Sequence, residues 1–203
     1  MYPELTGVED KNVLREIVKL TSKSLPVTTV ARNIDFEFYW QQKCLNSDEM
    51  SDKNIKKEQH GNSFKQAYIE THIQTLLEHF KSEDAMTEIA KELEAARYEV
   101  FCLIITQLQH FNIQYVFQYL PNLSYLTLTY GAKHVGMEYE RPLFGMKMSD
   151  ATTFKDCLRT TSALTYLSLP GNLIDDDLIG ILIKGLMLNK TITQLDLSHN
   201  KIG

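Results

Sequence analysis

One pattern of apolar and polar positions occurs twice in the last third of the chain. Leu-Thr-Tyr-Leu-Ser-Leu-Pro-Gly-Asn at 164–172 returns as Ile-Thr-Gln-Leu-Asp-Leu-Ser-His-Asn at 192–200, an offset of 28 residues. Leucines two positions apart point to the same face of a strand. The asparagine that follows is suited to bond the backbone groups that a turn leaves unpaired. After Asp175, apolar residues recur at helical spacing, so each unit is predicted to be a strand, a turn and a helix.

Two earlier segments carry the same spacing. They begin at Val100 and Leu123, and the steps between the four units are 23, 41 and 28 residues. The step of 41 predicts an insertion, most simply near 130–149. The predicted fold class is therefore α/β: a leucine-rich-repeat solenoid of the ribonuclease-inhibitor-like kind, built of strand-turn-helix units and preceded by a helical N-terminal cap.

The N-terminal region, 1–97, lacks this repeat and is predicted to be helical. Its polar stretch near 46–62 predicts a flexible loop. From Ser63, residues 64, 68, 72, 76 and 80 are aromatic, leucine or histidine, and this spacing predicts a helix with that stripe toward the core. A second helix is predicted over 82–97. The repeat region, 98–203, ends directly after a strand, so we expect the repeats to continue or a partner to cover that end.

Composition narrows the classes of function. The net charge of −5 and the pI of about 5.7 leave no basic footprint for nucleic acid, and no apolar run is long enough to cross a membrane. Three widely spaced cysteines predict reduced thiols in the cytoplasm. Asp175, Asp176 and Asp177 predict a helix start rather than a metal site. No catalytic motif is present, so we expect no enzyme activity, no cofactor and no small-molecule substrate.

Candidate protein-binding residues come from two features. Alternation along the strands places four residues on the outward face, and the insertion adds aromatic, methionine and charged side chains. The candidates are Thr127, Ser168, Gln194 and Asp196 on the strands, and Lys133, His134, Met137, Tyr139, Arg141 and Phe144 in the insertion. The alternative for the insertion, weighed equally, is a local plug formed by Met137, Tyr139, Leu143 and Phe144.

Several segments resemble a known family. They are Leu-Thr-Leu-Thr-Tyr-Gly-Ala-Lys-His-Val-Gly-Met at 126–137, Leu-Phe at 143–144, Phe-Lys-Asp-Cys-Leu at 154–158, Tyr-Trp-Gln-Gln-Lys-Cys-Leu at 39–45, and 60–78. Together they are similar to subunit 5 of the nexin-dynein regulatory complex, the T-complex-associated testis-expressed leucine-rich-repeat family, over roughly residues 35–203. The chain departs from that family at Phe64, where the family has tryptophan, and in the polar loop from Asn46.

The resemblance implies a structural subunit of motile cilia and flagella. Such a subunit lies in the axoneme, part of the cytoskeleton, in the complex that links outer doublets and regulates dynein-driven motility. Its implied partners are other subunits of the complex, which are coiled-coil and leucine-rich-repeat proteins, and indirectly the doublet microtubules. The resemblance also implies further repeats beyond Gly203, and it brings no catalytic residues.

A looser resemblance leads to a different function. Leu25-Pro26, the aromatic segment around Trp40 and a helix before the repeats are similar to F-box proteins. That alternative is a leucine-rich-repeat substrate receptor of a ubiquitin ligase. The polar loop near 46–62 interrupts the match, and likeness of fold is weak evidence for function.

Overall fold

The computed structural model describes residues 12–13, 15–16, 26–46, 57–80, 86–109, 111–132 and 141–203. Helices precede the sheet. They are α1 (Val27–Val30), α2 (Glu37–Asn46), α3 (Phe64–Glu78) and α4 (Met86–Ala95), with a 3₁₀ turn at Lys57–Gln59. Of the predicted flexible loop, residues 47–56 lie outside the described residues, as do residues 82–85 of the second predicted helix.

From residue 102 strands and helices alternate. The elements are β1 (Cys102–Leu108), α5 (Gln114–Tyr119), β2 (Tyr125–Tyr130), α6 (Met148–Thr160), β3 (Tyr166–Ser168), α7 (Asp176–Leu186) and β4 (Gln194–Asp196), with a 3₁₀ turn at Arg141–Leu143. The strands form one parallel sheet in the order β1-β2-β3-β4. Each parallel connection carries a helix, and the inward leucines and the helices share one core, so the fold is mixed α/β.

The register of the sheet follows the spacing of the leucines. Leu103 pairs with Leu126, Leu126 with Leu167, and Leu167 with Leu195. The first three are fully buried, whereas Leu195 is 45% exposed. The four predicted strand positions thus occupy one continuous row across the sheet.

Asparagine side chains join successive turns. Buried Asn172 accepts the N–H of Tyr130 at 2.7 Å and donates to the carbonyl of Leu128 at 2.7 Å. Asn200 donates to the carbonyl of Leu169 at 2.8 Å, one unit back. These bonds satisfy backbone groups that leave the ladder at the turn, which is the role predicted for both amides.

The start of α7 follows the prediction from the three acids. The carboxylate of Asp175 accepts the N–H of Leu178 at 3.0 Å and caps the helix, and Asp176 and Asp177 lie in its first turn. This arrangement satisfies a free N–H and places negative charge at the positive end of the helix dipole. Among the described residues, no group of three or more metal-ligating side chains comes together.

Helix α3 covers the free edge of β1. Buried Glu70 accepts the N–H groups of Phe101 and Cys102, both at 2.8 Å, and buried Glu78 accepts the N–H of Thr106 at 2.8 Å. Eight helical residues advance about 12 Å, and four strand residues advance about 13 Å. The helix therefore spans the distance that its two carboxylates must bridge, and the edge is shielded from pairing with another chain.

The stripe predicted to face the core from α3 lies at one side of the buried face. Of its members Tyr68 is buried, whereas Phe64, His72, Leu76 and Phe80 are only half-buried, and Ile69, Ile73 and Leu77 beside them are fully buried. The helix packs against both α2 and β1, which widens the buried arc and shifts its centre. Its start is as predicted, since the Ser63 hydroxyl accepts the N–H of Gln66 at 3.3 Å.

Candidate protein-binding surface

The outward face of the sheet is built by alternate residues of the strands. One row contains Cys102, Tyr125, Tyr166 and Gln194, and the next contains Ile104, Thr127, Ser168 and Asp196. The helices pack against the opposite face of the sheet, where they form the core together with the inward-pointing leucines. The register therefore brings the four predicted strand candidates onto two neighbouring rows of a single surface.

A stacked tyrosine pair lies at the centre of this face. The rings of Tyr125 and Tyr166 are parallel within 2°, with centroids 4.1 Å apart. Burial and the hydrogen bond with Tyr166 both raise the pKa of the Tyr125 hydroxyl. This pair was not predicted from the sequence, although both tyrosines directly precede the second leucine of their units and the parallel register aligns those positions.

The expectation of an accessible Ser168 is wrong. Its side chain is on the outward row, but it is only 3% exposed, and its hydroxyl donates to Oδ2 of Asp196 at 2.8 Å. The N–H of Ser198 donates to Oδ1 of Asp196 at 2.9 Å. These bonds, the Ser198 N–H first and the Ser168 hydroxyl second, hold the pKa of Asp196 below its ordinary value. Gln194 is exposed, Thr127 is half-buried, and Asp196 is half-buried but fixed in orientation.

The two ends of the insertion meet beside the last residue of β2. The N–H of Gly145 donates to the carbonyl of Tyr130 at 3.2 Å, and the N–H of Met146 donates to that of Asn172 at 2.8 Å. A Cβ at Gly131 would lie 3.3 Å from the Phe144 ring, so that ring covers the strand end. The base of the insertion is therefore tied to the core, with Met146 buried.

The insertion candidates divide into three groups. Arg141 is exposed at the 3₁₀ turn, whereas Phe144 is half-buried and packs on the base. The remaining candidates, Lys133, His134, Met137 and Tyr139, lie outside the described residues. Phe144 thus has the position expected of the plug alternative, and Arg141 that expected of a contact residue.

The cysteine thiols lie apart from one another and are all free. Burial raises the pKa of the Cys44 and Cys102 thiols to about 12 and that of Cys157 to about 11. A thiol with so high a pKa has very little of the nucleophilic thiolate at neutral pH. The outward face therefore contributes aromatic stacking and hydrogen bonding rather than a reactive thiol.

Two grooves open on the helical side of the described structure. One, of about 790 Å³, lies between α1, α4 and α5 and is lined by Arg32, Lys91 and Glu94 among others. The second, of about 440 Å³, lies between α5 and α6. In the part of the chain that the structure describes, no helix is both long and apolar enough to pass through a bilayer.

Comparisons with known proteins find relatives over most of the chain. No protein-family model matches it. Dynein regulatory complex subunit 5 of Chlamydomonas reinhardtii is 37% identical over 180 residues, which cover 86% of this chain and 44% of that protein. Its namesakes in Mus musculus and Homo sapiens are 26% and 24% identical over 219 residues, covering 93% of this chain and 43% of theirs. The chain thus spans less than half the length of these curated relatives.

Proposed function

Since the chain belongs to the dynein regulatory complex subunit 5 family, we propose that it is a non-catalytic scaffold subunit of the axonemal nexin-dynein regulatory complex in cilia or flagella. The observation that carries the proposal is 37% identity to the Chlamydomonas reinhardtii protein across 86% of the chain. In this role the chain binds other subunits, links outer doublets through them and helps to regulate dynein-driven motility. Its contact with the doublet microtubules is indirect.

The proposed scaffold is a leucine-rich-repeat solenoid over 98–203. The parallel register and the asparagine bonds between successive turns support it, because a solenoid holds each unit mainly through contacts with its neighbours. Its outward strand face and the exposed part of the insertion are the proposed contact surfaces for other subunits. Rigid strands fix the positions of the face residues, which suits recognition of a protein surface.

A non-catalytic role agrees with how the buried carboxylates are used. Glu70 and Glu78 accept backbone N–H groups of β1, and Glu78 also accepts the Thr106 hydroxyl at 2.9 Å. A carboxylate engaged in this way is occupied as an acceptor and serves as a structural clamp. The raised pKa values of the three thiols point the same way, because nucleophilic cysteines need a lowered pKa.

Affinity purification from demembranated, salt-extracted cilia tests the proposal. We expect the tagged chain to recover coiled-coil regulatory-complex subunits in fixed ratio, identified by mass spectrometry. Arg141→Glu, at the exposed turn of the insertion, is expected to reduce that recovery. Arg159→Glu, also exposed but on α6 at the helical side, is the matched control and should leave recovery unchanged. Recovery of a ubiquitin-ligase adaptor without axonemal proteins would replace the scaffold role with that of a substrate receptor.

A further inference from the structure

The stacked tyrosines turn the second face of the Tyr166 ring toward β4. Their centroids are 4.1 Å apart and their planes parallel, close to the spacing of adjacent strands, so the ring normals run across the strands. Tyr125 covers the β2 side of the half-buried Tyr166 ring. On the other side stands Gln194, the register partner of Tyr166 on β4, whose side chain is exposed. Tyr166 and Gln194 together form a shelf with an aromatic and a polar part.

A carboxylate stands at the end of this shelf. Asp196 lies two residues beyond Gln194 on the same face, and the diagonal between Tyr166 and Asp196 corresponds to about 7–8 Å between neighbouring strands. The Ser198 N–H and the Ser168 hydroxyl each donate to one carboxylate oxygen, and the Ser198 hydroxyl is a further partner, so the orientation of the carboxylate is fixed. A carboxylate has about four lone-pair sites, which leaves room for one further donor from a ligand. Among the described residues of the four strands, Asp196 is the one charged side chain on the outward rows.

An arginine side chain matches both features at once. Its guanidinium is planar and weakly hydrated, stacks on aromatic faces, and donates fork-like hydrogen bonds to carboxylates. Lysine would gain the charge interaction but lacks the planar stack. An acidic group would be repelled by Asp196, and an apolar side chain would leave the carboxylate without a new partner.

We propose that the β4-facing side of the Tyr166 ring and the carboxylate of Asp196 together bind an arginine side chain of a partner protein. The inference rests on the proposed scaffold role and assigns a chemistry to one of its contact surfaces. The guanidinium takes the place of the exposed Gln194 side chain against the Tyr166 ring and donates to Asp196. Ser168 acts through Asp196 as a positioning residue, which accounts for a buried hydroxyl on the outward face of the sheet.

Peptide binding to the full chain tests this inference directly. The probes are acetylated and amidated Gly-Ser-Arg-Ser-Gly and its lysine and citrulline counterparts, because citrulline keeps the shape of arginine without its charge. Binding is followed by the ring resonances of isotopically labelled tyrosine at low salt. We expect the arginine peptide to bind at least about fivefold more tightly than either counterpart, an effect typical of one charge-assisted contact. The Tyr166 ring signals should shift most.

Variants connect that selectivity to the shelf. Asp196→Asn and Tyr166→Leu should each abolish the preference for arginine. The matched controls Asp156→Asn and Tyr98→Leu, exposed and outside the strands, should keep it. Thermal unfolding is recorded for each variant, and if Tyr166→Leu fails to fold, Asp196→Asn alone decides. Equal binding of citrulline and arginine, tighter binding of lysine, or an unchanged preference in Asp196→Asn would overturn the inference.

The two experiments separate this inference from the proposed function. Normal recovery of axonemal subunits without arginine selectivity would keep the scaffold role and remove the arginine site. Arginine selectivity without axonemal partners would keep the site and remove the scaffold role.

Discussion

The helical region, 26–100, and the sheet region, 102–203, stabilise their backbones in different ways. In the sheet region the same residue types recur at the same places, as with Asn172 and Asn200, each of which reaches back to an earlier unit. In the helical region single residues do the corresponding work, above all Glu70 and Glu78 along the edge of β1. The sheet region is stabilised by contacts that recur from unit to unit, and the helical region by contacts that occur once.

The two outer strands of the sheet, β1 and β4, show how this difference affects burial at the edges of the sheet. The free edge of β1 is covered by α3, with buried carboxylates facing its N–H groups, whereas on β4 the leucine of the shared row is 45% exposed. Leu167 is buried on β3, which lies between two strands, whereas Leu195 on the outer strand β4 is not, so burial along this row depends on neighbouring strands. The helical region instead buries a large aromatic cluster, Tyr39, Trp40 and Tyr68, beneath its own helices.

The largest expected effect on stability compares a leucine on an inner strand, Leu167, with a leucine on an outer strand, Leu195. Leu167→Ala should lower the free energy of unfolding by about 2–5 kcal/mol, because it opens a cavity in a fully buried row. Leu195→Ala, at the same place in its unit, should cost less than half as much, since that side chain is already partly in water. Urea denaturation of both variants measures the difference. Equal losses would contradict the register of the leucine row.

The edge clamp in the helical region is the next test. Glu70→Ala should cost about 2–3 kcal/mol, because it leaves the partly buried N–H groups of Phe101 and Cys102 without their acceptor. Hydrogen exchange of those two amides should accelerate more than that of the Leu167 amide. The control Glu88→Ala removes an exposed carboxylate from α4 and should change stability by less than about 0.5 kcal/mol. Slow exchange at Phe101 in the Glu70 variant would show that the clamp contributes little.

The sheet region could be predicted from the sequence because its pattern of residues repeats. The register of the strands follows from leucines at the same position within each unit, although the steps between units differ. The role of Asn172 and Asn200 follows from their place after each strand. Ser168 was misjudged because its burial depends on Asp196, which the register brings opposite it from 28 residues further along. Alternation alone predicts the face of a strand on which a residue lies, but it does not predict what covers it.

Individual contacts were harder to predict. Glu70 and Glu78 look like ordinary solvated acids on an amphipathic helix, and nothing in their spacing reveals that β1 lies beside them. The buried face of α3 is wider than the predicted stripe for the same reason, since two neighbours rather than one cover the helix. The sequence does contain a signal for the tyrosine pair, because Tyr125 and Tyr166 occupy the same position in their units. Their stacking can be inferred only once the register of β2 and β3 is known.

Two glycines on α7 give a matched pair of variants whose expected effects on stability are of intermediate size. A Cβ at Gly185 would lie 2.4 Å from the carbonyl oxygen of Lys155, so α6 and α7 approach there only because a side chain is absent. Gly185→Ala should therefore cost about 1–3 kcal/mol. Gly180→Ala, on the same helix with nothing within 4 Å, should instead stabilise by about 0.5–1 kcal/mol. Thermal unfolding of the two variants should move in opposite directions, and a shift in the same direction would refute the close helix contact.

The smallest expected effect concerns the bond between units on the outward face. The pKa of Asp196 is depressed in the folded chain, so its contribution is complete above the ordinary carboxyl value of about 4 and is lost as the pH falls through the lower folded value. Ser168→Ala removes one donor to this carboxylate. We expect a drop in Tm of at most about 3 °C near pH 7 that shrinks toward pH 3. In an Asp196→Asn background the drop should lose this pH dependence. A drop that stays constant with pH would show that Ser168 stabilises by packing alone, and that Asp196 is held in place by Ser198.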